Sequence, residues 1–420
     1  MFENKFTIAD KFVPLQKKIR NTIKRQTFQC KRLLMKNNFF IYLCVLMLWT
    51  LWLTSCQNDD PIYADGYLTF TAESPMTFSI MNVGNVPAQY EYSLKKGEWK
   101  PYVLKEQLEF GGSHGTLRLR GRNSTGTSID AQNYHTIVVD GPEEAVFSAS
   151  GDIRTLVDWK NYKSVDTSEA RFGRLFLWCE KMVTAPALPA TKLASYCYDS
   201  MFYGCKKLTK APELPAKQLS RGCYFFMFCD CFALQETPTL PATEAPDNSY
   251  GGMFHGCKGI KKAGSIAATS VGESACHSMF ALCDSLIAAP DFSFTSLALH
   301  SCRGMFSKCL SLTSVPDILP AKELDFLCYE SMFHGCVNLK KGPVLPAEVL
   351  KYGCYKGMFG YCINLSEVTM LAYHVEADDV EGWLIGIYES GVLKKSSHLS
   401  LEVLNEAKAV PERWSVVDYE

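Results

Sequence analysis

The chain has almost no charge surplus: 43 Lys and Arg stand against 44 Asp and Glu in 420 residues. So close a balance supplies no global field for a polyanion, and nothing here points to nucleic acid. No apolar run reaches the roughly 20 residues of a comfortable transmembrane helix. Paired carboxylates, a Ser/His/Asp set and a glycine-rich phosphate loop are all missing in any context that would give them a reaction to perform. GGSHG (Gly111–Gly115) sits between strand-like runs, without the strand-turn-helix of a nucleophile elbow. Close CxxC pairs of the zinc-binding kind are missing too, the nearest approach being Cys229-x-Cys231. These absences lead to the expectation of no enzyme, no cofactor and no metal. Apolar residues are not scarce; at 47% they exceed what general disorder allows.

What the chain does have is recurrence. Met-Phe pairs begin at Met201, Met227, Met253, Met279, Met305, Met332 and Met358, in steps of 26, 26, 26, 26, 27 and 26 residues. A cysteine follows each Phe by three residues, from Cys205 to Cys362, and Cys179 marks a degenerate eighth copy ahead of them. Self-similarity at a fixed period of this length means stacked repeats. Fifteen of the 18 cysteines lie in this region, so they belong to the repeating unit and not to a small stapled domain. Buried small apolar residues are one reading of them, and bridges between adjacent copies in an exported protein are another.

Ahead of the array the chain divides by composition. Residues 1–34 are basic and carry no convincing fold; translation starting at Met35 accounts for them best. Residues 35–56 combine Lys36, an apolar run of about 15 residues and Leu53-Thr54-Ser55-Cys56, which resembles a bacterial lipobox with Cys56 as the lipid-attachment site. Residues 57–65 form a tether, and the acidic Asp59-Asp60 within it resembles a surface-export tag of Bacteroidota lipoproteins. Residues 66–150 alternate apolar and polar side chains in short runs, which predicts a small all-β sandwich domain. Trp99 and Tyr102 fall here, as packing residues or, alternatively, as platforms for a sugar. The repeat array with a short N-terminal capping helix takes residues 151–374, and residues 375–420 leave the repeat as a C-terminal cap.

Within one copy, Cys197, Met201 and Cys205 fall at i, i+4 and i+8, with Tyr198 and Phe202 alongside. The spacing predicts a two-turn amphipathic helix closed by Gly204, with equivalent glycines at Gly256 and Gly335. A short strand around Leu208–Lys210 would precede a proline-bearing stretch that cannot hold a long ladder. The expected fold is therefore a repeat solenoid of leucine-rich-repeat type, one short strand and one short helix per copy, preceded by the sandwich. The unit MFxGCxxLxxAPxLPAxxLxxxCY resembles the cysteine-bearing repeats of BspA-like leucine-rich-repeat surface lipoproteins of Bacteroidota. That resemblance implies an outer-membrane, cell-surface, non-enzymatic protein that adheres to host matrix or surface proteins through the repeat surface. A glycan-capturing accessory lipoprotein of a nutrient-uptake system is the alternative. Its partners would be a protein or glycan on a host or bacterial surface, and the membrane through the lipid anchor.

One surface feature stands out as a candidate docking face. Lys207, Lys210, Lys258, Lys261, Lys262, Lys340 and Lys341 recur near the expected strand, where stacking would align them as a basic stripe. Solvation of an exposed face is the plainer role for the same residues.

Overall fold

The computed structural model describes residues 66–419. Eight strands build the N-terminal part: β1 (Leu68–Ala72), β2 (Met76–Val83), β3 (Tyr90–Leu94), β4 (Lys100–Pro101), β5 (Leu108–Phe110), β6 (Leu117–Gly121), β7 (Tyr134–Asp140) and β8 (Phe147–Ser150). One sheet carries β4-β3-β6-β1-β8 and the other β5-β2-β7. Alternation in β2 turns Met76, Phe78 and Ile80 inward. Phe70 of the first sheet meets Phe78 and Phe110 of the second at ring separations of 5.0 and 6.2 Å. The first sheet continues without a break, because β8 pairs in parallel with β9 (Met182–Thr184) of the degenerate first copy. Between them, a 3-10 turn at Ile153–Leu156 is capped by the Asp152 carboxylate, which accepts from the Arg154 N–H.

From there to the C-terminus the chain winds as a parallel β-solenoid. Strands β10 (Glu244–Ala245), β11 (Ser270–Val271) and β12 (Ser296–Leu297) pair in parallel at a register of 26 residues. Isolated bridges extend the pattern, as in Glu236↔Lys262 and Leu240↔Ile266↔Phe292. The bridged residues Glu236 and Leu240 flank Pro238, the recurrent proline of that copy, and proline has no N–H to give a ladder, so strands there stay at one or two residues. Longer strands form toward the C-terminal end. β13 (Lys341–Leu345), β14 (Glu367–Met370), β15 (Gly391–Lys395) and β16 (Trp414–Asp418) form a four-stranded parallel sheet. Strand β13 takes in Pro343 at an irregularity of register between Lys341 and Val344.

The expected helix in each copy is not there, and with it falls the leucine-rich-repeat unit of strand plus helix. Among the described residues the only α-helix is Leu401–Glu406, in the terminal region. In place of a helix runs a ribbon of overlapping β-turns. The N–H groups of Met201, Tyr203 and Cys205 donate to the carbonyls three residues back, those of Tyr198, Ser200 and Phe202. The intervening N–H groups, of Tyr198, Ser200, Phe202 and Gly204, donate to Cys223, Phe225, Met227 and Cys229 of the next copy. Half the ribbon's donors thus belong to the neighbouring copy, which a helix, with every bond internal, cannot offer. The apolar spacing of residues 381–391 also suits a helix, but the chain there repeats the same turns around Gly382 and Gly386.

A coincidence of periods makes the ribbon look like a helix in the sequence. The ribbon repeats every four residues: Cys223-Tyr224 inward, Phe225-Phe226 outward, Met227-Phe228 inward again, and then Cys231. Such a pattern places apolar residues at i and i+4 just as a helix does. The ribbon also needs a left-handed residue at every fourth position, and finds one at Tyr196, Ser200 and Gly204. Gly204 is therefore not the cap of a helix but one of a series of left-handed sites.

Glycine in that series has a second use. A Cβ on Gly204 would lie 2.2 Å from the Trp178 ring, and one on Gly252 2.2 Å from the Phe226 ring. A large side chain in one copy leans over the backbone of the next, and the residue 26 positions on must be glycine to receive it.

Inside the solenoid two aromatic columns run along the axis. Phe176, Phe202, Phe228, Phe254, Phe280, Phe306, Phe333 and Phe359 stack at 5.3–5.6 Å, nearly parallel. A second column, Tyr198-Tyr224-Tyr250, resumes at Tyr329-Tyr355 after Cys276 and Cys302 take its place. The cysteines that follow each Phe are free and buried. From Cys205 to Cys362 each thiol donates to the carbonyl of the previous copy's ladder Phe at 2.9–3.2 Å. The residue there must be small, apolar and able to donate once, and cysteine is all three.

Candidate functional site

The one copy of irregular length creates the clearest recess. The β10–β12 ladder stops at Leu297, because the 27-residue step from Met305 to Met332 carries the following segment, Lys322–Leu324, out of pairing range. A groove of about 490 Å³ opens there, with Thr295 and Ser296 on one side and Lys322, Glu323, Asp325 and Lys351 on the other. Beside it two rings from neighbouring copies stand half out of the protein, Phe326 at 48% and Tyr352 at 50% exposure. Lys351 fixes the floor of this corner. Its ammonium lies 3.3 Å from Asp325 and 5.6 Å from the centre of the Phe326 ring. Asp325 in turn accepts from the Phe326 N–H at 2.9 Å, so the carboxylate, ammonium and ring hold one another in place. Lysine recurrence in the sequence points to a basic stripe and not to this pairing of a carboxylate with aromatic platforms. The signal for it was the single 27-residue step, followed by aromatic residues at matching places in consecutive copies.

The seven lysines of the supposed stripe do not share one repeat position and fall on two segments. Lys207 and Lys258 lie just after the ribbon, and Lys210, Lys261, Lys262, Lys340 and Lys341 on the bridge-forming segment. Acidic partners face several of them: Glu144 at 3.9 Å from Lys207, Asp284 at 3.8 Å from Lys258 and Glu367 at 3.2 Å from Lys341. Glu367 also takes Lys394 at 3.1 Å, and the two lysines hold its carboxyl below the usual range. Cys56 and the rest of the leader and tether lie outside the described residues.

Trp99 and Tyr102 are taken up by packing. The Tyr102 hydroxyl accepts from the Ile80 N–H and donates to the Glu106 carbonyl. Arg120 lies 4.0 Å from the Trp99 ring and 3.6 Å from that of Trp159, with Glu91 bound at 2.6 Å. The Gly112–His114 segment is a short 3-10 turn between strands. On the ribbon, His255 and His277 border a second depression of about 400 Å³ together with Arg303 and Lys308. Burial depresses the pKa of both imidazoles, and at His277 the Arg303 guanidinium adds to it.

Comparison with known protein families, curated proteins and solved structures gives no match. The resemblance to BspA-like leucine-rich-repeat lipoproteins therefore does not hold: no family model supports it, and the repeat is a turn-and-bridge coil of the β-solenoid class. Adhesion through a leucine-rich-repeat surface loses its basis with the surface itself.

Proposed function

We propose that the chain captures an extended glycan in the groove beside Phe326 and Tyr352, as a lipid-anchored accessory to carbohydrate uptake. The two half-exposed rings carry this reading. A sugar offers apolar C–H faces to aromatic rings and a fringe of hydroxyls to carboxylates, ammonium groups and side-chain hydroxyls. The groove is walled by Thr295, Ser296, Glu323 and the Asp325–Lys351 pair, and each ring follows one member of that pair in the chain. Consecutive copies advance by 5.3–5.6 Å between ladder rings, a distance comparable to one sugar unit. On this reading the protein holds the glycan without breaking it, and the partner is polymeric.

The test is titration of the purified chain with a panel of soluble polysaccharides, followed by Phe326→Ala, Tyr352→Ala and the pair together. Each single change is expected to weaken binding about tenfold, roughly 1.4 kcal/mol, and the double change to abolish it. Binding that persists unchanged in the double variant would place the glycan elsewhere and end the assignment. The anchor is tested by itself. Cys56→Ser should abolish incorporation of labelled fatty acid in cells, and undiminished labelling would refute attachment at that cysteine.

A further inference from the structure

One cysteine stands apart from the repeat. Of the fifteen described cysteines, Cys229 alone occupies the outward position directly after a Met-Phe pair, where other copies have Tyr203, His255, Ala281, Ser307, His334 and Gly360. The next residue, Asp230, is one of the left-handed sites of the ribbon, at φ 58°. The residue 26 positions after Cys229 is His255, and stacking brings it alongside: the Asp230 N–H donates to the His255 carbonyl at 2.9 Å. The Cys229 thiol, an Asp230 carboxylate oxygen and a His255 ring nitrogen all lie within 4.8 Å of one another. Sulfur and Nδ1 are 3.8 Å apart.

From these positions we infer a divalent transition-metal site, of the zinc class, at Cys229, Asp230 and His255. A tetrahedral ion with sulfur at 2.3 Å and nitrogen near 2.05 Å separates those atoms by roughly 3.6 Å, close to the gap already present. A thiolate and an imidazole select a borderline-soft ion over calcium or magnesium, which take oxygen ligands. Three protein ligands leave a fourth position for water or a small ligand. Cys229 is 2% exposed, Asp230 and His255 are part-buried, and His255 also walls the 400 Å³ depression, so the imidazole is the trio's link to that depression. Tyr203, at the equivalent place one copy earlier, is a neighbour of both Cys229 and Asp230. The thiols of the interior column have no comparable set, since their hydrogens are given to Phe carbonyls.

The experiment is titration of the full chain, reduced and metal-free, with Co²⁺ followed by optical absorption and with Zn²⁺ followed by calorimetry. One equivalent is expected to bind, with a sulfur-to-cobalt charge-transfer band. Cys229→Ser should remove the band, and His255→Gln should weaken affinity at least tenfold. His334→Gln, the same place in another copy, should leave both unchanged. Far-UV circular dichroism confirms that each variant is folded, and His255→Gln decides the matter if Cys229→Ser is not. The inference is overturned by the absence of saturable binding below about 100 µM, roughly −5.5 kcal/mol. A charge-transfer band that survives both ligand changes overturns it equally.

Discussion

Above pH 9 the folded chain is expected to lose stability steeply and to unfold well before pH 12. Burial pushes the thiols of Cys179, Cys223, Cys309, Cys354 and Cys362 up to about 12, and raises those of Cys205, Cys231, Cys257 and Cys283 well above the ordinary thiol value. An unfolded thiol gives up its proton near 8.5. Between those values the unfolded chain is ionised while the native chain stays protonated, so the unfolded state binds fewer protons and stability falls as pH rises. Below about pH 8.5 both states are protonated and nothing is lost. Each such thiol takes about 1.4 kcal/mol per pH unit once its unfolded form is ionised. Five of them remove roughly 7 kcal/mol between pH 9 and 10, as much as the whole stability of an ordinary domain. Tyr224, Tyr250, Tyr329 and Tyr355, raised well above their ordinary value by burial, steepen the fall once pH passes about 10. Circular dichroism against pH, with thiolate absorbance read in parallel, is the measurement. Thiolate appearing near pH 9 while the far-UV spectrum stays native would mean that water reaches the cysteines.

That dependence rests on columns that were legible in the sequence. The recurrence of Met-Phe and cysteine identified which residues stack, because a copy that hides its apolar side only against the next must repeat it in register. The conformation joining them was not legible from apolar spacing alone. Cys197, Met201 and Cys205 satisfy a helix and a four-residue turn ribbon equally. What separates the two is the run of residues able to adopt a positive φ, seen in the pairs Trp178/Gly204, Tyr196/Gly222 and Phe226/Gly252. In each, a ring is followed 26 residues later by the glycine that makes room for it, a relation that a helix closed on itself would not require. The groove and the metal trio arise where repetition fails. The extra residue before Phe326 ends a ladder, and Cys229 enters a position where no other copy has cysteine. A reading that averages over copies sets such exceptions aside, and the exceptions carry the chemistry.

Phe280→Ala tests the columns directly and is expected to cost about 3–5 kcal/mol, the range for truncating a fully buried Phe. Phe280 is 1% exposed and lies 5.5 Å from both Phe254 and Phe306. How much of that range is realised depends on whether the void can close. Here the flanking copies are pinned by backbone bonds, Phe254 N–H to the Met279 carbonyl at 2.9 Å and Phe280 N–H to the Met305 carbonyl at 2.8 Å. They cannot slide together to fill it. The second aromatic column is also interrupted at this level, by Cys276 and Cys302, which leaves the Phe ladder as the continuous aromatic contact across it. A solenoid is held by contacts between neighbours, so a weakened junction can divide one cooperative unit into two. Urea unfolding of Phe280→Ala is therefore expected to show two transitions where the parent shows one. Phe228→Ala, made where both columns are continuous, should lower the midpoint without dividing the curve. A loss below about 1 kcal/mol for Phe280→Ala would be that of a surface residue. It would mean that the ring faces water and that the copies do not stack through it.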